Sequence, residues 1–491
     1  MSYDTAKPFN PELFSSGYVD NTPEHKLADM FSPYLRNARL DGNAIINRPH
    51  SLHVTLTSGD YPRGLSSYLR EDSANNVMLV RHNIDATHKL NTVTVTVVDI
   101  VTASNILSDN RMNFINVSDS IYCMNGSDDF KLNIAYTLPT TITNFSPAFG
   151  VWFNSSLFVS YAALDKVYKS VNDYENFSLG SDSFDFVETI TLSSNLQALF
   201  YFTKNTISVT VDIQDIAINY STRALTVKET NNHNCIVNAN NVFFITPSNK
   251  IARVVVNNID FEVLELSERK HAISKIMSTL DLTQDDAFGY FISKDNLVKW
   301  FLKSKANFND TCIIYDITKD CFLVDDNKYF YDITFEGKNY TISTIEPKLF
   351  QDEFGTDDEA AINFRYETKY FDLIPTRKKE LWESRTYVAI NELAELKQNV
   401  VIDNVIDTKI IDNSNIPIST GITYAIGTAK ITDTDDTDLI YVDLIRTKGN
   451  LQVKGKKIKF IYINNTVGKI RLEDLEMKIE VLPPEATNLT K

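Results

Sequence analysis

The chain has 491 residues, 64 of them acidic and 48 basic, for a formal net charge of -16. That balance argues against a protein that grips nucleic acid by neutralising phosphates, though it suits a wall along which a polyanion slides without sticking. The length exceeds one ordinary core, so two or three domains or a repeat architecture are expected. With 29 Phe and 23 Tyr against only 15 Gly and 14 Pro, an ordered, β-rich chain is predicted.

Residues 1–51 read as an irregular arm, because prolines at 8, 11, 23, 33 and 49 stop regular structure; one short helical possibility lies at 24–30. The opening stretch lacks the charged head and apolar run of a secretion signal, and no apolar run approaches the ~20 residues of a membrane helix. Synthesis in a cytoplasm is expected, with no membrane-spanning segment.

From position 52 the dominant signal is period-two alternation, as in HVTLTS, TVTVTVV and ISVTVDI. Several units repeat one theme, a strand, a tight polar turn and an aromatic-rich second strand. They are INVSDSIYCMNGSDDFKLNI (115–134), FGVWFNSSLFVSY (149–161), NNVFFITPSNKIARVVV (240–256), FGYFISKDNLVKWFL (288–302) and the run 312–344. Each hairpin has two faces that it cannot bury alone, and radial stacking of small sheets covers both, so a β-propeller over 52–350 is expected. A sandwich or a string of β-domains is the alternative.

A helical insertion is predicted at 261–280, where Leu266, Ile273, Ile276, Met277 and Leu280 fall on one side. The acidic, turn-like stretch 350–359 is a plausible boundary. Beyond 361 the strands lengthen, and a C-terminal β-sandwich domain over 361–485 is expected. The fold class is thus all-β, with a β-propeller, an N-terminal irregular arm, one helical insertion and a C-terminal β-sandwich domain; blade number is not readable.

The order of segments resembles the tail nozzle proteins of short-tailed bacteriophages, also called tail tubular protein B or packaged-DNA stabilisation protein. In the opening, Arg36, Asn37, Asp41, Gly42, Arg48 and Pro49 carry the likeness. The hairpins SIYCMNGSDDFKLNI and FGVWFNSSLFVS follow, then the stretches 188–211, 234–254 and 309–326, and finally 362–390 and 446–481. The predicted helix and the acidic run Asp433 to Asp438 have no counterpart in it. The resemblance implies a structural virion component, not an enzyme. It would be a homohexamer around a channel in the phage tail, attached to adaptor or tubular ring proteins, with tail fibres or a needle outside. Viral DNA would be retained until ejection and pass through without specific binding. A receptor-binding propeller adhesin and a propeller glycosidase or depolymerase are the rival readings.

No catalytic constellation stands out. His50 and His53 lie at the start of a strand, where positions three apart face opposite sides, so a metal site is disfavoured. Asp433, Asp435, Asp436 and Asp438 offer hard oxygen ligands but lack the glycine and distal glutamate of a calcium loop, and a solvated acidic turn is preferred. No nucleophile elbow, phosphate-binding loop or zinc-protease motif occurs. Arg377, Lys378 and Lys379, and Lys454, Lys456, Lys457 and Lys459, are read as solvated or subunit-facing, with transient DNA contact as the alternative; Lys457 and Lys459 would share a strand face that Lys456 opposes. Trp152, Phe153, Trp300 and Trp382 are read as core, with glycan stacking the alternative. Cys123, Cys235, Cys312 and Cys321 are read as buried thiols, although Cys312 and Cys321 flank a turn and could lie opposite one another. No catalytic, cofactor-binding or metal residue is assigned, and no cofactor.

Overall fold

Alternating residues give each short strand two faces to cover, and seven small antiparallel sheets stacked side by side cover them for one another. The computed structural model describes the strands and part of their connections between residues 7 and 482; the longest stretches outside that description are 69–76, 102–111, 170–182, 212–222, 227–234, 353–362 and 408–439. Blades 1 to 7 span 62–101, 113–141, 149–185, 191–226, 237–265, 280–326 and 329–352. Blade 6 has five strands, because Leu280–Asp281 and Phe288–Ile292 pair with opposite ends of Leu297–Ser304.

Ser51–Thr55 completes blade 7 as its outermost strand, with Leu349 opposite Val54 and Gln351 opposite Leu52. The innermost strands of successive blades touch all the way round, and Tyr329–Phe335 of blade 7 meets Pro62–Tyr68 of blade 1. The ring is therefore closed by a strand from early in the chain. Between blades the packing is tight at two inner glycines. A Cβ on Gly150 would lie 2.5 Å from Ile115 Cδ1 of the preceding blade, and one on Gly289 would lie 2.3 Å from Val237 Cγ2. Glycine here lets one inner strand sit against the next.

The remaining strands form a sandwich. One sheet runs Ala38–Asp41, Ala44–Asn47, Ile470–Val481, Lys379–Ile390, Ile440–Thr447, with Lys7–Phe9 and Lys454–Gly455 added beside it; the other runs Tyr34–Arg36, Phe364–Glu367, Ile458–Asn464, Leu396–Ile402, Val405–Asp407. Between them Gln398 Nε2 donates to Thr386 Oγ1 (2.8 Å) and to the Tyr462 hydroxyl (3.1 Å), fixing the two sheets in register. Phe14 is wholly buried against Tyr366 and Tyr462.

Two expectations are amended. The arm read as irregular over 1–51 supplies strands to both sandwich sheets; these are three to four residues long and fit between prolines, while Pro8 lies in Lys7–Phe9, which among the described residues pairs with Ile470–Val481 alone. Among the described residues the helix expected over 261–280 covers Ser274–Thr279, since Asp260–Glu265 is a strand of blade 5. Its five apolar positions are all buried, but two kinds of element share them.

Candidate functional site at the propeller and sandwich joint

The joint is built on the outermost strand of blade 6, Cys321–Asp326. Such a strand ordinarily leaves a row of N–H and C=O groups open. Here Cys321 through Asp325 are buried, because the segment 14–48 runs beside them. Tyr18 N donates to Phe322 O (2.7 Å) and Asn37 N to Val324 O (2.9 Å). Gly17 passes so close that a Cβ would lie 2.1 Å from Phe322 O.

Asn37 is the corner of this construction. It stands alone between Tyr34–Arg36 of one sandwich sheet and Ala38–Asp41 of the other, with φ 53°, a left-handed conformation that asparagine tolerates better than most residues. Its Oδ1 accepts from Asp326 N (3.0 Å), its Nδ2 donates to Asn363 O (2.8 Å), and its carbonyl accepts from Arg48 N (2.8 Å). One residue thus ties blade 6, the first strand of the C-terminal region and the arm.

Charge surrounds it. Arg39 gives Asp325 a two-pronged contact, Nη1 to Oδ1 at 2.9 Å and Nη2 to Oδ2 at 2.5 Å, and Arg48 Nη1 lies 4.0 Å from the same carboxylate. Burial alone would push the Asp325 carboxyl up, yet Arg39, Arg48 and Lys299 together hold it below the usual range. Asp326 goes the other way: burial raises it, and Arg36 at 3.7 Å offsets only part of that. The Arg36 guanidinium lies over the rings of Tyr18 (5.8 Å) and Tyr34 (5.4 Å), and Arg365 over the other side of the set at Tyr34 (4.8 Å).

Two flanking contacts extend the joint. Asp20 accepts from Lys275 N (3.1 Å) and Ile276 N (2.7 Å), capping the helix Ser274–Thr279, whose own N-cap Ile273 has no side chain able to do so. The Asp41–Ala44 hairpin turns at Gly42, φ 61°, whose carbonyl accepts from Lys319 Nζ of blade 6 (3.0 Å), and Asp41 pairs with Arg471. Arg36, Asn37, Asp41, Gly42 and Arg48, the arm residues that carry the sequence likeness, therefore converge here; Pro49 lies outside the described residues. Asp325, Asp326 and Lys299 were not singled out from sequence, and the only hint was a pair of aspartates ending the apolar run CFLV. The arrangement pairs cations with carboxylates and backbone groups, so its chemistry is that of a clamp.

The two basic clusters meet at the other end of the sandwich. Lys379 lies opposite Gly455, is fully buried, and donates through Nζ to Lys456 O (2.6 Å). The expected strand over Lys454 to Lys459 is broken: Lys456 and Lys457 form an exposed turn, and Lys459 is buried against Glu367 at 2.7 Å. Lys457 and Lys459 still point the same way, both ammonium groups lying over the Tyr370 ring at 6.0 and 4.8 Å, but only Lys457 is exposed. Arg377 lies outside the described residues.

Trp300 and Phe153 are buried, and Trp152 and Trp382 half-buried, with Trp382 Nε1 donating to Glu480 (2.9 Å). All four cysteines are buried thiols. Cys312 faces Asp325 and Cys321 faces Asp316 across their hairpin, so the strand register separates the two sulfurs. His53 lies in the strand that closes blade 7, opposite Phe350; His50 and Asp433 to Asp438 fall outside the described residues. Among the described residues no group of three or more His, Cys, Asp or Glu could hold a metal ion, and no helix is long and apolar enough to cross a membrane.

No family model matches the chain, and no curated protein matches it. Solved structures of similar shape include YCF48 bound to D1 peptide, at 11% identity over 62% of this chain and 94% of that one, with a TM-score of 0.39. YCF48 from Cyanidioschyzon merolae gives 10% identity over 62% and 98%, TM-score 0.41. The β-propeller domain of Myceliophteria thermophila Cps50 (Swd1) gives 7% over 61% and 99%, TM-score 0.40. The strand pairing and the closed circle of blade contacts carry one description: the chain is an all-β protein built on a β-propeller.

Proposed function

We propose that this propeller protein is a structural component of a bacteriophage tail, a nozzle subunit whose copies form a ring around the path of the DNA. The observation that carries the reading is the convergence of Arg36, Asn37 and Arg48 on one largely buried joint, with Asp41 and Gly42 making exposed contacts to Arg471 and Lys319 at its rim. The residues that make the opening resemble the nozzle family are those that weld arm, propeller and sandwich, as a load-carrying subunit requires. The charge of -16 supports it further, since an acidic wall repels a passing phosphate backbone.

On this reading the role is mechanical and no reaction is catalysed. A heterologous interface that closes on itself makes the tube, six copies being what the resemblance implies, seated below adaptor or tubular ring proteins and carrying fibres or a needle outside. A constriction of polar loops retains the genome and opens on a receptor-triggered movement. The test is cryo-electron microscopy of the phage particle that carries this chain. A ring of copies around the tail axis is expected; copies confined to peripheral spikes overturn the conduit and favour an adhesin.

A further inference from the structure

The propeller is an insert in the sandwich. Sandwich strands come from Lys7–Phe9 to Ala44–Asn47 and again from Phe364–Glu367 onward, with all the blades between. The chain enters and leaves the ring at one place, because Ser51 and Asp352 are cross-strand partners in blade 7. The ring is shut there by Ser51–Thr55, a five-residue strand that among the described residues pairs with Lys348–Asp352 alone. A two-stranded contact of that length is marginal by itself, so its hold depends on how the ends of the strand are kept in place.

Both ends are tied to neighbouring blades. Downstream, the chain passes from Thr55 to Pro62, the first residue of blade 1. Upstream, Arg48 stands just before the strand; its N donates to Asn37 O (2.8 Å), and its Nη1 lies 4.0 Å from the Asp325 carboxylate of blade 6. Asn37 in turn accepts from Asp326 N of blade 6 (3.0 Å) and donates through Nδ2 to Asn363 O (2.8 Å), at the head of the returning strand Phe364–Glu367. One asparagine bonded to blade 6 therefore holds the chain on its way into blade 7 and on its way out. Fixing the chain so near the strand raises the effective concentration of Ser51–Thr55 at its partner, whereas a released arm leaves it tethered from the Thr55 end alone.

We infer that residues 37–48 and the strand Ser51–Thr55 act together as a strap, buckled on blade 6 and closing blade 7, and that releasing the buckle opens the propeller at blade 7. The buckle is Asn37 with the contacts of Arg39 and Arg48 to Asp325. The sandwich can reach it, since Ala38–Asp41 and Ala44–Asn47, inside the strap, are also strands of one sandwich sheet. A displacement of the sandwich therefore loads the buckle before it loads blade 7, which makes the sandwich a handle on the propeller. The strap belongs to the single chain and does not depend on assembly into a tail.

Hydrogen exchange of the full chain, read by mass spectrometry of its peptic fragments, follows the closing pair directly. In Asp325→Asn and, separately, in Asn37→Gly, the amides of Ser51–Thr55 and Lys348–Asp352 should exchange about tenfold faster or more than in the parent, while those of Phe149–Phe153 and Ser156–Ser160 in blade 3 stay as they were. Asn37→Gly keeps the left-handed backbone, so it carries the test should the change at Asp325 unfold the chain. An oxidised cysteine pair, Val54→Cys with Leu349→Cys, joins cross-strand partners and should restore the protection of the closing pair in either variant by standing in for the buckle. A closing strand that keeps the parent's protection in both variants overturns the strap, because the pair then holds unaided. Loss of protection in blade 3 together with blade 7 also overturns it, because the propeller then melts as a unit with no local opening.

Discussion

Replacing Asp325 by Ala removes the carboxylate that two arginines and a lysine surround, and the consequence can be sized from burial. The Asp325 side chain is 2% exposed and that of Arg39 16%, so Arg39 keeps its charge in a largely dry site with two of its donors unanswered. Breaking a buried pair in this way costs about 3–5 kcal/mol, against less than about 1 kcal/mol for an exposed pair. The three tryptophans divide the molecule conveniently, with Trp152 in blade 3, Trp300 in blade 6 and Trp382 in the sandwich. Urea unfolding of single-tryptophan variants should show one shared transition in the parent. With Asp325→Ala the signals of Trp300 and Trp382 should separate, the sandwich melting first. The double change Asp325→Leu with Arg39→Met should recover most of the loss, since two apolar groups leave no orphaned charge. The folded carboxyl of Asp325 titrates below its unfolded value, so its contribution is present above the unfolded pKa and disappears as pH falls through the folded one. A cost under about 1 kcal/mol for Asp325→Ala, or transitions that stay coincident, refutes the clamp.

Three further outcomes follow from geometry. Gly289→Ala should lower stability by about 1–3 kcal/mol in thermal melts, because its Cβ meets Val237 of the preceding blade, whereas a neutral result would mean the blades part freely. Asn37→Gly should be milder than Asn37→Val by at least about 1 kcal/mol; both lose the amide contacts, but only valine also resists the left-handed backbone. The Cys321 thiol is buried and, chiefly through desolvation, pushed up to about 12, so a disulfide reagent at pH 8 should leave it untouched until urea is added. Prompt modification of Cys321 in the native chain contradicts that burial.

Alternation and turn residues made the propeller legible, because blades are local: each hairpin pairs with its sequence neighbour, as Ile121 does with Asn116 and Leu132. The arm was not legible for the opposite reason. Strands such as Tyr34–Arg36 and Ala44–Asn47 are too short to show a period and acquire their structure from partners hundreds of residues away, Tyr366 for Leu35 and Leu472 for Ile45. The helix was overread since Leu266 and Ile273 obey helical spacing while lying on either side of a change from strand to helix. At the joint, Arg36, Asn37 and Arg48 stood out through the family likeness, but Asp325 and Lys299 did not. A buried charge carries no periodic signature, and its partner is identified only when a remote strand arrives.

Lys7–Phe9 and Ala44–Asn47 both pair with Ile470–Val481, and Ser51–Thr55 waits for Lys348–Asp352. These strands thus depend on partners made hundreds of residues later. At ~5–20 residues per second, the stretch from Ser51 to Lys348 takes roughly 15–60 s to make, during which the segment carrying Ser51–Thr55 lacks that partner. The prolines spaced through it keep that waiting segment from pairing with other nascent chains. The ring can thus close once Lys348–Asp352 is made, whereas the sandwich waits for Ile470–Val481, and a chain halted before residue 470 should be recovered as a closed propeller with a protease-sensitive arm.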